Sequence, residues 1–279
     1  MSAASRERLI ASKADPGRAA AILERWKSHK PFPAGDFFEQ RLRLDNLTEE
    51  DLLAILRLPP AVYAELITAP PAWVRELEEL YRTPRSRDDA PEFVHYAQEG
   101  TNGFLWVTSP LLHEGLRRFR EGVGSLPAVG VPLDPVTAER LVLPHLFKTL
   151  KEALDVVMVL ELHVARVQGV LQGDTPEARF HSFCERLRQR DVQMSIAREY
   201  PVLFRLLHSL TMHWVDSSLE LLDRLVQDWD LIRASLAAGA EPGSLTSIAA
   251  GAGDPHRRGR TVVVLEFSTG FKLVYKPHS

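Results

Sequence analysis

The chain has 279 residues, 45% hydrophobic and 25% charged, with a formal net charge of -3. This is ordinary soluble globular composition, long enough for a substantial core and for two domains. A single cysteine, Cys184, excludes an internal disulfide and any cysteine-based zinc site, so a reducing, cytoplasmic location is expected. No basic face with interleaved aromatics points to nucleic acid. The N-terminal stretch has no apolar core of the kind a secretory signal needs.

In chain order, Asp15-Pro16 predicts a helix start, with the aspartate as cap and the proline at the first helical position. Ala19, Ile22, Leu23 and Trp26 then share one face. KPFP at 30–33 breaks this helix, and a short one follows through Phe37, Phe38, Arg41, Leu42 and Leu44. TEED at 48–51 reads as a capping box with aspartate in place of the usual glutamate or glutamine. It opens a helix bearing Leu52, Leu53, Ile55 and Leu56, ended by Pro59-Pro60. After Pro70-Pro71 an amphipathic helix carries Trp73, Leu77, Leu80 and Tyr81. The charged, proline-containing stretch 82–90 predicts an exposed loop.

Helical spacing returns at 111–120, through Leu112, Leu116 and Phe119. Residues 122–135, rich in glycine and proline, predict a linker. The longest helix is expected over 140–171, with Leu146, Leu150, Leu154, Val157, Leu160, Val164 and Leu171 recurring, and Gly173 ends it. Its most apolar run, 153–160, is followed at once by Glu161, His163 and Arg166, so it predicts a buried helix and not a membrane span. Thr175-Pro176 restarts a helix that buries Phe180, Phe183 and Leu187. The pattern stays helical over 200–238, through Leu203, Leu206, Leu210, Trp214, Leu221, Leu225 and Trp229. Trp26, Trp73, Trp214, Trp229 and Cys184 all read as core.

The last stretch changes period. A strand is expected at 244–250, then a glycine-bracketed polar loop, GAGDPHRRG at 251–259. An apolar, valine-rich run at 261–267 reads as a second strand, Ser268-Thr269-Gly270 as a turn, and 271–276 as a third strand stopped by Pro277. Alternation places Lys272, Val274 and Lys276 on one face and Phe271, Leu273 and Tyr275 on the other. The fold class is therefore mainly α with a small β portion: a helical body followed by a short antiparallel meander.

Most of the candidate chemistry sits in this tail. Asp254 and His256 place a carboxylate and an imidazole two apart around a proline, a pair suited to acid–base work near neutrality. From 254 to 279 the basic residues are 257, 258, 260, 272 and 276 and the acids 254 and 266, a local charge of +3 that suits a phosphorylated ligand. The glycines could bring backbone N–H groups to phosphate oxygens. An exposed polar hairpin turn explains the same residues. Lys276, at the end of a strand after a glycine loop, is placed as kinase-like lobes place their phosphate-binding lysine; a solvated edge-strand lysine is the other reading. Elsewhere, Glu161, His163 and Arg166 suit tertiary contacts. His208 and His213, five apart, miss the four-residue spacing of a two-histidine metal site, and no metal ligand is assigned.

Several stretches together resemble the N-terminal part of the dehydratase domain of class II lanthipeptide synthetases, the LanM type. They are WKSHKPFPAGDFFEQRL at 26–42, LELHVARVQGVLQG at 160–173, TPEARFHSF at 175–183, YPVLFR at 200–205 and the tail from 253. The tail is the most specific, similar to the pattern GDxHxxGRxVxxLxFxxGxKLVYKPRS, and departs from it at His278, where the family has arginine. The resemblance implies a lipid-kinase-like fold with a helical cap. It implies phosphorylation of serine and threonine in a precursor peptide with ATP and Mg²⁺, followed by elimination of phosphate to dehydroamino acids. In that family a zinc-dependent cyclase domain follows.

Carried over by motif, Asp254 and His256 take part in elimination and Lys276 contacts the nucleotide. The expected organisation is a helical cap region at 1–122, a long-helix region at 136–243 and the start of a kinase-like N-lobe at 244–279. The family's catalytic-loop residues would follow 279, so the isolated chain is expected to lack dehydratase activity, with the precursor peptide and the remainder of the synthetase as partners. The alternative is a non-catalytic helical module that binds a precursor peptide or partner chain.

Overall fold

The structure is a computed structural model that describes residues 10–33, 35–66, 69–83, 91–97, 100–127, 134–237, 239–251 and 260–277. The chain divides into two compact units, Met1–Pro71 and Ala72–Ser279.

In the first unit, α1 (Pro16–Lys27) begins where the sequence predicts: the Asp15 carboxylate accepts the Arg18 N–H at 2.9 Å. Such a cap contributes about 1 kcal/mol. Next come α2 (Phe37–Leu44), α3 (Glu49–Leu56) and α4 (Pro60–Leu66). The capping box is real despite its aspartate. Thr48 Oγ1 accepts from the Asp51 N–H (3.1 Å) and Asp51 Oδ2 from the Thr48 N–H (2.9 Å). Leu23, Phe38, Leu42 and Leu52 make the core. Trp26, expected there, is 46% exposed; that core is lined instead by Phe32, edge-on to Phe38 at 5.6 Å.

The second unit is helical for most of its length. It contains α5 (Ala72–Arg82), α6 (Pro91–Ala97), a 3-10 segment (Gly100–Thr108), α7 (Ser109–Gly124), α8 (Pro135–Val167), α9 (Pro176–Leu187), α10 (Arg190–Glu199) and α11 (Pro201–Gln227). A single short turn, α12 (Trp229–Leu231), leads into a π turn at Ile232–Leu236. The longest helix starts at Pro135 and not at 140, because Asp134 caps it by accepting the Thr137 N–H at 3.0 Å. It ends at Val167, ahead of Gly169 at positive φ. Residues 128–133 of the expected linker and 84–90 of the expected charged loop lie outside the described residues.

α8 and α11 run antiparallel. The Trp214 indole N–H donates to the Val142 carbonyl (3.1 Å) at one end, and the Tyr200 hydroxyl to Glu161 (2.6 Å) at the other. Between them lie Leu143, Leu146, Leu150, Leu154, Phe204 and Leu207, all fully buried. The run 153–160 is only half buried. Leu154 and Met158 face the core, but Val156 (81% exposed), Val159 and Leu160 face solvent, since a helix turns each residue by about 100°. Among the described residues no helix is long and apolar enough to cross a membrane.

The tail folds as predicted into a three-stranded antiparallel sheet, β1 (Leu245–Ala250), β2 (Val263–Phe267) and β3 (Lys272–Tyr275), in the order β1-β2-β3. Leu265 is central, opposite Ile248 on one side and Leu273 on the other. Val263, Leu265 and Phe267 point inward onto Leu221, Leu225, Trp229 and Ile232. The sheet thus rests on the C-terminal half of α11 and the π turn.

Candidate active site

The site is the junction where β1 ends, β2 begins and β3 ends, against α8 and α11. Gly251 closes β1 with φ of 86°, a left-handed conformation natural to glycine. Its N–H donates to Thr261 Oγ1 at 2.9 Å, which ties the residue after β1 to one just before β2. Next to Thr261, Arg260 reaches α11: its Nε and Nη2 donate to Glu220 Oε2 at 2.8 and 2.6 Å. The other Glu220 oxygen meets Arg224 Nη2 at 2.8 Å, one helical turn on. The Arg224 guanidinium lies 5.8 Å from the ring centre of Tyr275, the last residue of β3.

The Tyr275 hydroxyl is enclosed without a hydrogen-bond partner in good geometry among the described residues. Burial, reinforced by the Glu220 charge, raises its pKa. A small cavity of about 40 Å³ is lined by Trp214, Glu220, Arg260, Thr261, Tyr275 and His145 of α8. The His145 imidazole sits under Gly251, its Cε1 3.8 Å from where a Cβ would stand. Burial, with Lys148 nearby, lowers its pKa. Beside this junction an open apolar groove of about 380 Å³ runs between the end of α11, the π turn and β3.

Lys276 follows β3 directly. The predicted alternation holds: Lys272, Val274 and Lys276 are exposed, while Phe271, Leu273 and Tyr275 are half-buried. Lys272 pairs with Glu266 at 3.4 Å. Lys276 has no ion pair among the described residues. Asp254 and His256 lie outside the described residues, as does His278. Among the described residues no three or more histidine, cysteine, aspartate or glutamate side chains converge.

The other polar residues singled out in the sequence have tertiary or local partners. Glu161 accepts from Tyr200, and Arg166 contacts His163 at 3.2 Å. His208 is half-buried, 3.6 Å from Glu76. Trp214 and Trp229 are buried, and Trp73 is half-buried under the Arg205 guanidinium at 5.4 Å. Cys184 is buried, which pushes its thiol up to about 11 and makes it a poor nucleophile.

Sequence reading missed Glu220, Arg224 and His145. Only the Glu220–Arg224 spacing of four carried a signal, and on a helix that spacing is common. No curated protein matches the chain. Residues 200–279, which span α11, the π turn and the whole sheet, match a family described as a domain of unknown function, DUF4135, a domain found in lanthipeptide synthetases.

Proposed function

We propose that this chain contributes to a lanthipeptide dehydratase of the LanM type. The reaction has two stages. The γ-phosphoryl group of ATP passes to a serine or threonine hydroxyl of a precursor peptide, releasing ADP. A base then takes the α-proton and phosphate leaves from the β-carbon, forming the carbon–carbon double bond. The match of residues 200–279 to a domain found in lanthipeptide synthetases carries this reading, and the order of the sequence motifs supports it.

The chain's own residues have distinct parts in it. Lys276, exposed at the end of β3, would neutralise nucleotide phosphate charge, and Mg²⁺ bound with ATP would share that work. Asp254 and His256 would serve elimination, which needs a base for the α-proton and a cationic or protonated group for the leaving phosphate. The two stages therefore separate genetically.

The test is mass spectrometry of a precursor peptide incubated with Mg·ATP and a synthetase carrying this sequence. Wild type should give dehydrated peptide, and Asp254→Asn or His256→Phe should accumulate phosphorylated peptide. Saturable peptide binding with neither phosphorylation nor dehydration would overturn the enzyme reading in favour of a helical binding module.

A further inference from the structure

Glu220 stands at the centre of the junction and is absent from the sequence motif. One carboxylate gathers three elements. Its Oε2 takes two bonds from Arg260, across 40 residues of sequence, and its Oε1 holds Arg224, which lies against Tyr275. The pair is shielded, with the Glu220 side chain 23% and that of Arg260 33% exposed, so these charge-assisted bonds outweigh a surface ion pair. Glu220 itself is fixed, because the adjacent Leu221 and Leu222 are buried.

β3 has no such support of its own. It is four residues long, pairs only with β2 among the described residues, and its last ladder partner is Val263 opposite Tyr275. A short edge strand of this kind frays unless its end is tied. Lys276 is the next residue.

We propose that Glu220 is a positioning residue that fixes, through Arg260 and through Arg224 on Tyr275, the point at which Lys276 leaves the sheet. The functional side of this rests on the reading of Lys276 as a phosphate-binding lysine. A lysine on a frayed strand must be ordered when the phosphate arrives, which weakens binding. A fixed strand end removes that cost.

Two readouts on a synthetase carrying this sequence separate the clamp from the nucleotide reading. One is peptide-resolved amide hydrogen exchange. The other is protection of Lys276 from acylation by Mg·ATP. Glu220→Gln should speed exchange at 272–276 roughly tenfold while the α8 core amides stay unchanged. It should also raise several-fold the ATP concentration that half-protects Lys276. Arg260→Gln removes one of the two pairs and should reproduce part of the effect, the double variant adding little beyond Glu220→Gln alone; it also gives the readout if Glu220→Gln fails to fold. Unchanged exchange at 272–276 in both variants, or loosening spread evenly over the chain, would overturn the proposal. Faster local exchange without ATP protection in wild type would leave the clamp standing and remove the nucleotide role of Lys276.

Discussion

The interface between α8 and α11 and the attachment of β3 lie within one compact unit and are built from different materials. Between the helices, Leu143, Leu146, Leu150, Phe204 and Leu207 exclude water completely. At β3, Leu273 and Tyr275 are only half-buried, Val274 faces solvent, and the firm contacts reach the strand through Glu220, Arg260 and Arg224. Apolar burial scales with area and tolerates changes in charge and salt. An anchor made of a few shielded charges is local and can be broken by one substitution. The helical body should therefore set the stability of the chain, and the charged junction the order of the end of β3.

The largest expected effect lies in the body. Leu150→Ala opens a cavity at a fully buried site and should cost about 2–5 kcal/mol in urea unfolding. Val274→Ala, on the open face of β3, should change it by no more than about 0.5 kcal/mol. Equal effects would erase the contrast. Next comes Gly103, in the 3-10 segment. A Cβ there would overlap the Cys184 sulfur, so Gly103→Ala should cost about 1–3 kcal/mol, and pairing it with Cys184→Ala should restore part of the loss.

An effect of similar size but electrostatic origin is expected at Glu114, the buried carboxylate of α7. Arg117 and Arg118 hold its pKa down to about 2. That stability is present above the ordinary carboxylate range and is lost as pH falls toward 2. Glu114→Gln should cost about 1–3 kcal/mol at neutral pH and flatten the acid limb of the stability curve.

The smallest effect comes from His145 and His208, both pushed by burial below the ordinary imidazole value. The unfolded chain takes up these protons first. Stability should therefore hold above about pH 6.5 and decline below it. Urea midpoints measured across that range should show the decline, and His208→Gln should reduce it.

The sequence disclosed elements with strong start signals and regular period. Asp15, Thr48, Asp51 and Thr175 all act as caps in the structure, and the switch to a period of two marks the sheet. It hid the short pieces. Pro60–Leu66, Pro91–Ala97 and the 3-10 turn Gly100–Thr108 hold too few turns to establish a period, although Phe104, Leu105, Trp106 and Val107 are all buried. Arg190–Glu199 was hidden by its polarity: its core contacts are Gln193, whose amide donates to the Trp106 and Leu187 carbonyls, and Ile196. Trp26 and Val156 show the limit of composition, since an apolar side chain faces the core only if its helix turns it there. For the site, alternation was enough to orient Lys276. Glu220 was not legible because its main partner, Arg260, lies 40 residues away and is brought near only by packing.

Lys272, at the start of β3, and Lys276, just past its end, share one face, yet Lys272 already pairs with Glu266 and Lys276 has no ion pair among the described residues. The decisive measurement is ATP-dependent phosphorylation of a precursor peptide by a synthetase carrying Lys276→Ala or Lys272→Ala. Lys276→Ala should remove phosphorylation, and Lys272→Ala should leave most of it. Undiminished phosphorylation in Lys276→Ala would contradict the nucleotide role of Lys276.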